Sequence, residues 1–258
     1  MAPLEDPATL EPFDMVVLAG ATETRRLDEL ARAAAGLGTV VLDMAGCGGL
    51  LPVSTPVLPP LTGRPDPPVL RVPHPGVVAA RAVLDPLADL GIGHATLHVV
   101  EPASARGKAS VEDLARQAAA RLRGEPPGDA GGEPALAFNL VTAAPDRLAA
   151  EAVRLLDPVP VAVTRAVDGR FHGHVIHLGV VFEHPVEYDE VEERWADSER
   201  LVHSGEALSV DTVPDSHAVH MGMPVLSRDG RGLGVTAAVD GLLVGGALSA
   251  LELLTALL

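Results

Sequence analysis

Apolar positions along this chain follow two different periods. In Phe13-Asp-Met-Val-Val-Leu-Ala-Gly20 and Gly38-Thr-Val-Val-Leu-Asp43 they run on without interruption, as in strands buried on both faces, whereas from Glu23 to Ala35 they recur at helical spacing. Strand, helix and strand in that order predict a βαβ unit and a parallel sheet. Residues Gly46 to Val72 are dense in Pro and Gly, have no helical period, and predict an extended crossing. A helix is expected from Val77 to Leu90, kinked or shortened at Pro86, where the ring removes an N–H and crowds the preceding turn.

Beyond His94 the pattern changes. Strands are predicted at 95–100, 135–140, 159–166, 173–183 and 233–239, and helices at 110–122, 145–156, 189–203 and 245–258. Ser110-Val-Glu-Asp reads as a capping box for the first of these helices, and Arg123 to Glu133 as a polar loop. Adjacent strands with helices gathered between them predict a second domain of the α+β type on a mixed sheet. The expected fold class is therefore α/β plus α+β.

Composition narrows the function. The 258 residues are 47% hydrophobic but only 2% aromatic, so Ala, Val and Leu must fill the core and favour close helix-to-sheet packing. Asp and Glu outnumber Lys and Arg by 35 to 19, a net charge of −16, which opposes binding to nucleic acid or an anionic membrane. The chain has no uncharged apolar run of about 18 residues. Its start, Met1-Ala-Pro-Leu-Glu-Asp, lacks the basic-then-apolar order of a signal peptide, so the cytoplasmic compartment is expected. Cys47 is the only cysteine, which excludes an intrachain disulfide and a cysteine-cluster metal site. Within Gly46-Cys47-Gly48-Gly49 it reads as a small hydrophobe, with a reactive thiol as the alternative.

Most local motifs have bland readings. Gly20-Ala-Thr-Glu-Thr24 could be a dinucleotide loop with Asp43 as ribose acceptor, but it lacks the second and third glycines, and Glu23 would repel phosphate. A plain strand-to-helix turn is expected there. His172, His174 and His177 lie close in sequence, the first two on one strand face, but a metal site wants a third converging ligand. They are read as surface or interface histidines, as are His94 and His98, while His217 and His220 fall in a loop. No Gly-x-Ser-x-Gly elbow is present.

One segment says more. Val69-Leu-Arg-Val-Pro-His-Pro75-Gly76, opening the helical pattern, resembles the nucleophile turn of aspartate-semialdehyde dehydrogenases, where Asn-Pro-Asn-Cys-Ser/Thr precedes a helix and the cysteine thiolate attacks the aldehyde. The resemblance extends over nearly the whole chain. Phe13 to Gly20 is similar to the family's Asp-Ile-Ala-Leu-Phe-Ser-Ala-Gly, and Gly38 to Asp43 to Ala-Val-Val-Ile-Asp. Ser104-Ala-Arg-Gly-Lys108-Ala resembles Ser-Gly-Ala-Gly-Lys-Ala, and Ala137-Phe-Asn139 resembles Ala-Phe-Asn-Val. Gly173-His174 and Val180-Val-Phe-Glu183-His-Pro185-Val resemble the Gly-His and Val-Glu-Phe-Glu-x-Pro-Val run; Asp240 with Gly245-Gly-Ala-Leu-Ser-Ala250 resembles the closing Asp-Asn and Gly-Ala-Ala-Leu-Asn-Ala helix.

The departures fall on the functional positions. Pro75 occupies the nucleophile's place, with no ionisable group and no N–H. The strand glutamine becomes Glu101, the nicotinamide-facing asparagine Gly241, and the arginine-bearing segment Gly48-Gly-Leu-Leu-Pro52. The substrate arginine falls on Val167 without a gap; Arg165 or Arg170 reaches that place only by inserting residues. His174 keeps its identity, and Met1 falls well inside the usual family chain, beyond the glycine fingerprint. The resemblance thus implies a truncated Rossmann-like remnant over residues 1–75, completed by the C-terminal helix 240–258, and a dimerisation domain over 76–239. It implies a catalytically inactive relative, with Glu101 and His174 as remnant site positions and with neither cofactor nor metal. Such a protein would act through dimerisation or regulatory binding, as a homodimer or with an active paralogue. Two alternatives stand: an active NADP-dependent oxidoreductase of amino-acid biosynthesis, or a repurposed scaffold using His174 and Glu101 as an acid–base pair.

Overall fold

The structure is a computed structural model that describes residues 7–10, 12–19, 24–44, 55–56, 69–127, 134–205 and 207–257. It divides into two compact units, Met1–Pro73 with Gly245–Leu258, and His74–Val244.

In the first unit, strands β1 (Met15–Leu18), β2 (Val40–Asp43), β3 (Thr55–Pro56) and β4 (Val69–Arg71) form a sheet of order β1-β2-β4-β3 in which every pairing is parallel. Helix α1 (Thr24–Gly36) makes the crossover between β1 and β2. The unbroken apolar run of β2 follows from burial on both faces. Val41 packs with Leu30, Ala31 and Ala34 of α1, whereas Val40 and Leu42 pack with Ala250 and Leu253 of the C-terminal helix α6 (Leu248–Leu257).

The second unit is built on an eight-stranded mixed sheet. Its strands are β5 (Ile92–Glu101), β6 (Leu140–Ala143), β7 (Val161–Asp168), β8 (His174–Phe182), β9 (Leu201–His203), β10 (Val219–Met221), β11 (Val225–Leu226) and β12 (Gly232–Val239). They run in the order β6-β7-β5-β8-β12-β10-β9, with β11 paired to β12. Two pairings, β5 with β7 and β9 with β10, are parallel, and the rest are antiparallel. Helices α2 (Pro75–Leu84), α3 (Lys108–Leu122), α4 (Asp146–Leu155) and α5 (Tyr188–Ala196) complete the unit. In β8 the burial alternates: His174, Ile176, Leu178, Val180 and Phe182 are buried, while His177 and Val181 on the opposite face are exposed. One face of the sheet therefore carries the core and the other stands open. α2 is apolar nearly all round, and eight of its residues from Gly76 to Leu84 are buried. Trp195 of α5 donates its indole N–H to the Val83 carbonyl at 2.9 Å.

Several predicted elements differ in extent. α2 ends at Leu84 and gives way to a tighter 3-10 turn over Asp85–Leu90, since Pro86 supplies no N–H to continue it. α3 starts at Lys108 after Gly107, so Ser110 lies inside it and forms no capping box; a capping box occurs instead at Glu187 and Glu190 of α5. The strand predicted over 135–140 is a turn, with Phe138 at φ 55°, and β6 follows it. The reason is a contact from α3: Gln117 Oε1 accepts from the Leu136 and Ala137 N–H groups, satisfying buried donors that a strand would have offered to a ladder. The helix predicted to run to His203 stops at Ala196, and 201–203 pair with β10, which carries His220 out of its predicted loop. Among the described residues no helix is long and apolar enough to cross a membrane.

Candidate functional site

The site forms where α2 begins. His74 holds the N-cap position with extended backbone, φ −60° and ψ 137°, and Pro75 takes the first helical position, for which its fixed φ is suited. A helix N-terminus ordinarily offers free N–H groups to an anion. This one does not. Pro75 has none, the Gly76 N–H donates to His74 Nδ1 at 3.0 Å, and the Val77 and Val78 N–H groups donate to the His74 carbonyl at 2.9 and 3.1 Å. Gly76 permits this close turn, because a Cβ there would lie 2.8 Å from Val99 Cγ2 on β5.

With Nδ1 accepting from Gly76, the His74 ring proton sits on Nε2, which donates to Glu101 Oε1 at 2.9 Å. Glu101 ends β5 on the helix-bearing face and is 2% exposed. Arg165 of β7 is diagonal to it across the parallel ladder and grips both oxygens, Nε to Oε1 at 2.7 Å and Nη2 to Oε2 at 2.6 Å. Burial would raise the Glu101 carboxyl, but the hydrogen bonds from His74 and Arg165 outweigh it and hold the group at about 2. From the other side, the His74 N–H donates to Glu151 Oε2 at 2.9 Å, and Arg147 reaches Glu151 Oε1.

His174 opens β8, one residue past the last ladder pair, Val100 with Val175, which brings it to the same end of the sheet as Glu101. Its ring meets that of His74 edge to face, centroids 5.4 Å apart. Burial first, then the neighbouring His74, push the His174 imidazole down to about 3, so it is neutral at ordinary pH. Its Nδ1 is buried without a hydrogen-bond partner. A general acid or base works best with a pKa near the operating pH. Glu101, fixed as an ion-paired carboxylate, and His174, fixed as a neutral ring, are displaced from that range.

The remaining positions singled out in the sequence fall as follows. Val167 is fully buried in a cluster with Ala103, Leu114 and Leu136, so the ungapped substrate-arginine position is core. Arg170 braces the backbone, donating to Asp168 Oδ2, the Gly173 carbonyl and the Val100 carbonyl. Asp43, 1% exposed, faces Arg71 across the β2–β4 ladder at 3.5 Å. His172 precedes β8 and therefore does not share its face with His174, while His177 lies on the open face. Among the described residues no three His, Cys, Asp or Glu side chains group as metal ligands. Gly20 to Glu23, Cys47 and Gly48 to Pro52 lie outside the described residues. His74 carries no sequence signal for this role, because histidine is not among the usual N-caps.

Gly241 has a specific packing role. A Cβ there would sit 2.3 Å from His174 Nδ1, 2.4 Å from His174 Cε1 and 3.2 Å from Pro75 Cγ. Gly241→Ala is expected to destabilise the protein by about 2 kcal/mol, as overpacking at a buried ring does. Urea unfolding measures this, and an unchanged midpoint would contradict the packing described.

A parallel βαβ sheet in one unit, a mixed sheet with one open face in the other, and a helix N-terminus beside paired strand ends define a two-unit fold of α/β plus α+β class. Comparison with known structures places it among the aspartate-semialdehyde dehydrogenases in fold. A probable aspartate-semialdehyde dehydrogenase from Pseudomonas aeruginosa matches with a TM-score of 0.84 at 22% identity, covering 95% of this chain and 80% of that one. Aspartate semialdehyde dehydrogenase II from Vibrio cholerae gives 0.82 at 18% identity over 95% and 80%. The Candida albicans enzyme, whose structure was determined with NADP, gives 0.67 at 11% identity over 94% and 76%. At these identities the likeness is one of fold. No protein-family model and no curated protein matches the chain.

Proposed function

We propose that this chain is a catalytically silent protein of semialdehyde dehydrogenase-like fold that acts by association, most simply with a second copy of itself. The observation that carries the reading is the start of α2. Pro75 offers no nucleophile, and the N–H groups of Gly76, Val77 and Val78 are engaged by His74. An acyl-transfer site needs a nucleophile and free donors for the developing oxyanion. Arg165, beside the strand ends, is neutralised by Glu101. A nicotinamide contact is also poorly served: position 241, where the resemblance puts an asparagine, has its side-chain space filled by His174. The repurposed acid–base reading is weakened because Glu101 and His174 are both held well below neutral pKa values.

Association is supported by the open sheet face. Its central strands present His94, Thr96, Ala162, Thr164, His177 and Gly234 as exposed positions, a largely uncharged surface. Three measurements test the reading. Titration with NADPH followed by fluorescence should give no saturable micromolar binding, and phosphate-dependent reduction of NADP by aspartate semialdehyde should not rise above the protein-free blank. Sedimentation equilibrium should give a dimer. Turnover in the assay would overturn the silent-site half of the proposal, and a monomer at high micromolar concentration the association half.

A further inference from the structure

The open face of the mixed sheet carries a row of four polar side chains on adjacent strands, Thr164, His98, His177 and Thr236, placed opposite one another by the ladders of β7, β5, β8 and β12. Each imidazole is tied at Nδ1 to the threonine on its outer side. His98 Nδ1 lies 2.7 Å from Thr164 Oγ1, and His177 Nδ1 lies 3.0 Å from Thr236 Oγ1. Between them the rings lie side by side, 17° from parallel, with centroids 6.0 Å apart. A hydroxyl oxygen accepting from Nδ1–H leaves the lone pair on Nε2, the state in which an imidazole binds a transition metal and the outer hydrogen bond orients it.

The spacing suits one shared ion. With a Zn–N distance of about 2.1 Å, a metal stands roughly 3.2 Å from the centroid of each imidazole that binds it, so two rings on one ion have centroids roughly 5 to 6.4 Å apart, depending on the angle at the metal. The observed 6.0 Å falls inside that interval. Both side chains are reachable: His177 is exposed and His98 half-buried. The chain's net charge of −16 adds a general attraction for a cation.

We propose that His98 and His177 form a two-imidazole site for a borderline divalent transition ion such as Zn2+ or Ni2+, oriented by Thr164 and Thr236. Two protein ligands leave two positions of a tetrahedral ion for water, or for the same pair from a second copy. The site is independent of the helix turn at Pro75, and it lies on the sheet face through which association is proposed. Calorimetric titration of the metal-stripped full chain with ZnCl2 and NiCl2 tests it, together with long-range 1H–15N spectra of the imidazoles. Saturable binding is expected at one ion per chain, or one per two chains where a second copy supplies the other half, with Nε2 shifts confined to two histidines. His98→Ala or His177→Ala should abolish it, His94→Ala should leave it unchanged, and Thr164→Val should weaken it about tenfold. Thermal melts of each variant guard against loss of fold. No binding by the parent chain, or binding that survives the His98→Ala/His177→Ala double variant, would overturn the proposal.

Discussion

Lowering the pH from 6.5 to 4 is expected to reduce the unfolding free energy by about 3 kcal/mol through His174 alone. Burial and the adjacent His74 bring this imidazole down from 6.5 to about 3 in the folded protein. Between those two values the unfolded chain binds a proton that the folded chain refuses, so stability falls as the pH falls. At about 1.4 kcal/mol per pH unit the effect is a large fraction of a typical domain's stability. Replacing His174 by glutamine removes the titrating group. Urea unfolding of parent and variant at pH 7 and pH 4 isolates its share, and equal acid sensitivity in the two would show that His174 is not the group responsible.

Replacing Arg165 by methionine should destabilise the protein at pH 7 by about 3 kcal/mol, because it leaves the buried Glu101 carboxylate with His74 as its remaining side-chain partner. Glu101 is depressed from 4.5 to about 2 in the folded state. Its ionised form thus contributes stability that is fully present above pH 4.5 and is lost as the pH falls through 2. In the variant that acid-dependent contribution should shrink along with the total. A double variant, Glu101→Met with Arg165→Met, should recover most of the loss, since an apolar pair of similar volume removes the uncompensated charge. A single variant within about 0.5 kcal/mol of the parent would mean that solvent already satisfies the carboxylate.

Both predictions concern groups that the sequence named without the relation between them. Glu101 and His174 were legible through the resemblance of their motifs to those of a dehydrogenase, and Pro75 through the missing thiol. Their partners were not. Arg165 lies 64 residues from Glu101 and meets it only because β7 and β5 pair in parallel in one register. His74 stands next to Pro75 in plain view, yet its role depends on where Gly76, Glu101 and Glu151 are placed by three different elements. The predicted strand at 135–140 failed for a similar reason: Gln117, on α3, takes over backbone donors that no local pattern could assign to it.

Unaided, the sequence determined the βαβ start, the mixed-sheet second part and the break at Pro86, since each depends on residue type and short-range period. The tertiary structure decided that the turn at Pro75 is closed by a His74–Glu101–Arg165 cluster, that Gly241 makes room for a neutral, buried His174, and that His98 and His177 stand side by side on an open face. These are contacts between strands and helices distant in the chain, and their charge states follow from burial and pairing, which exist only once the sheet has formed.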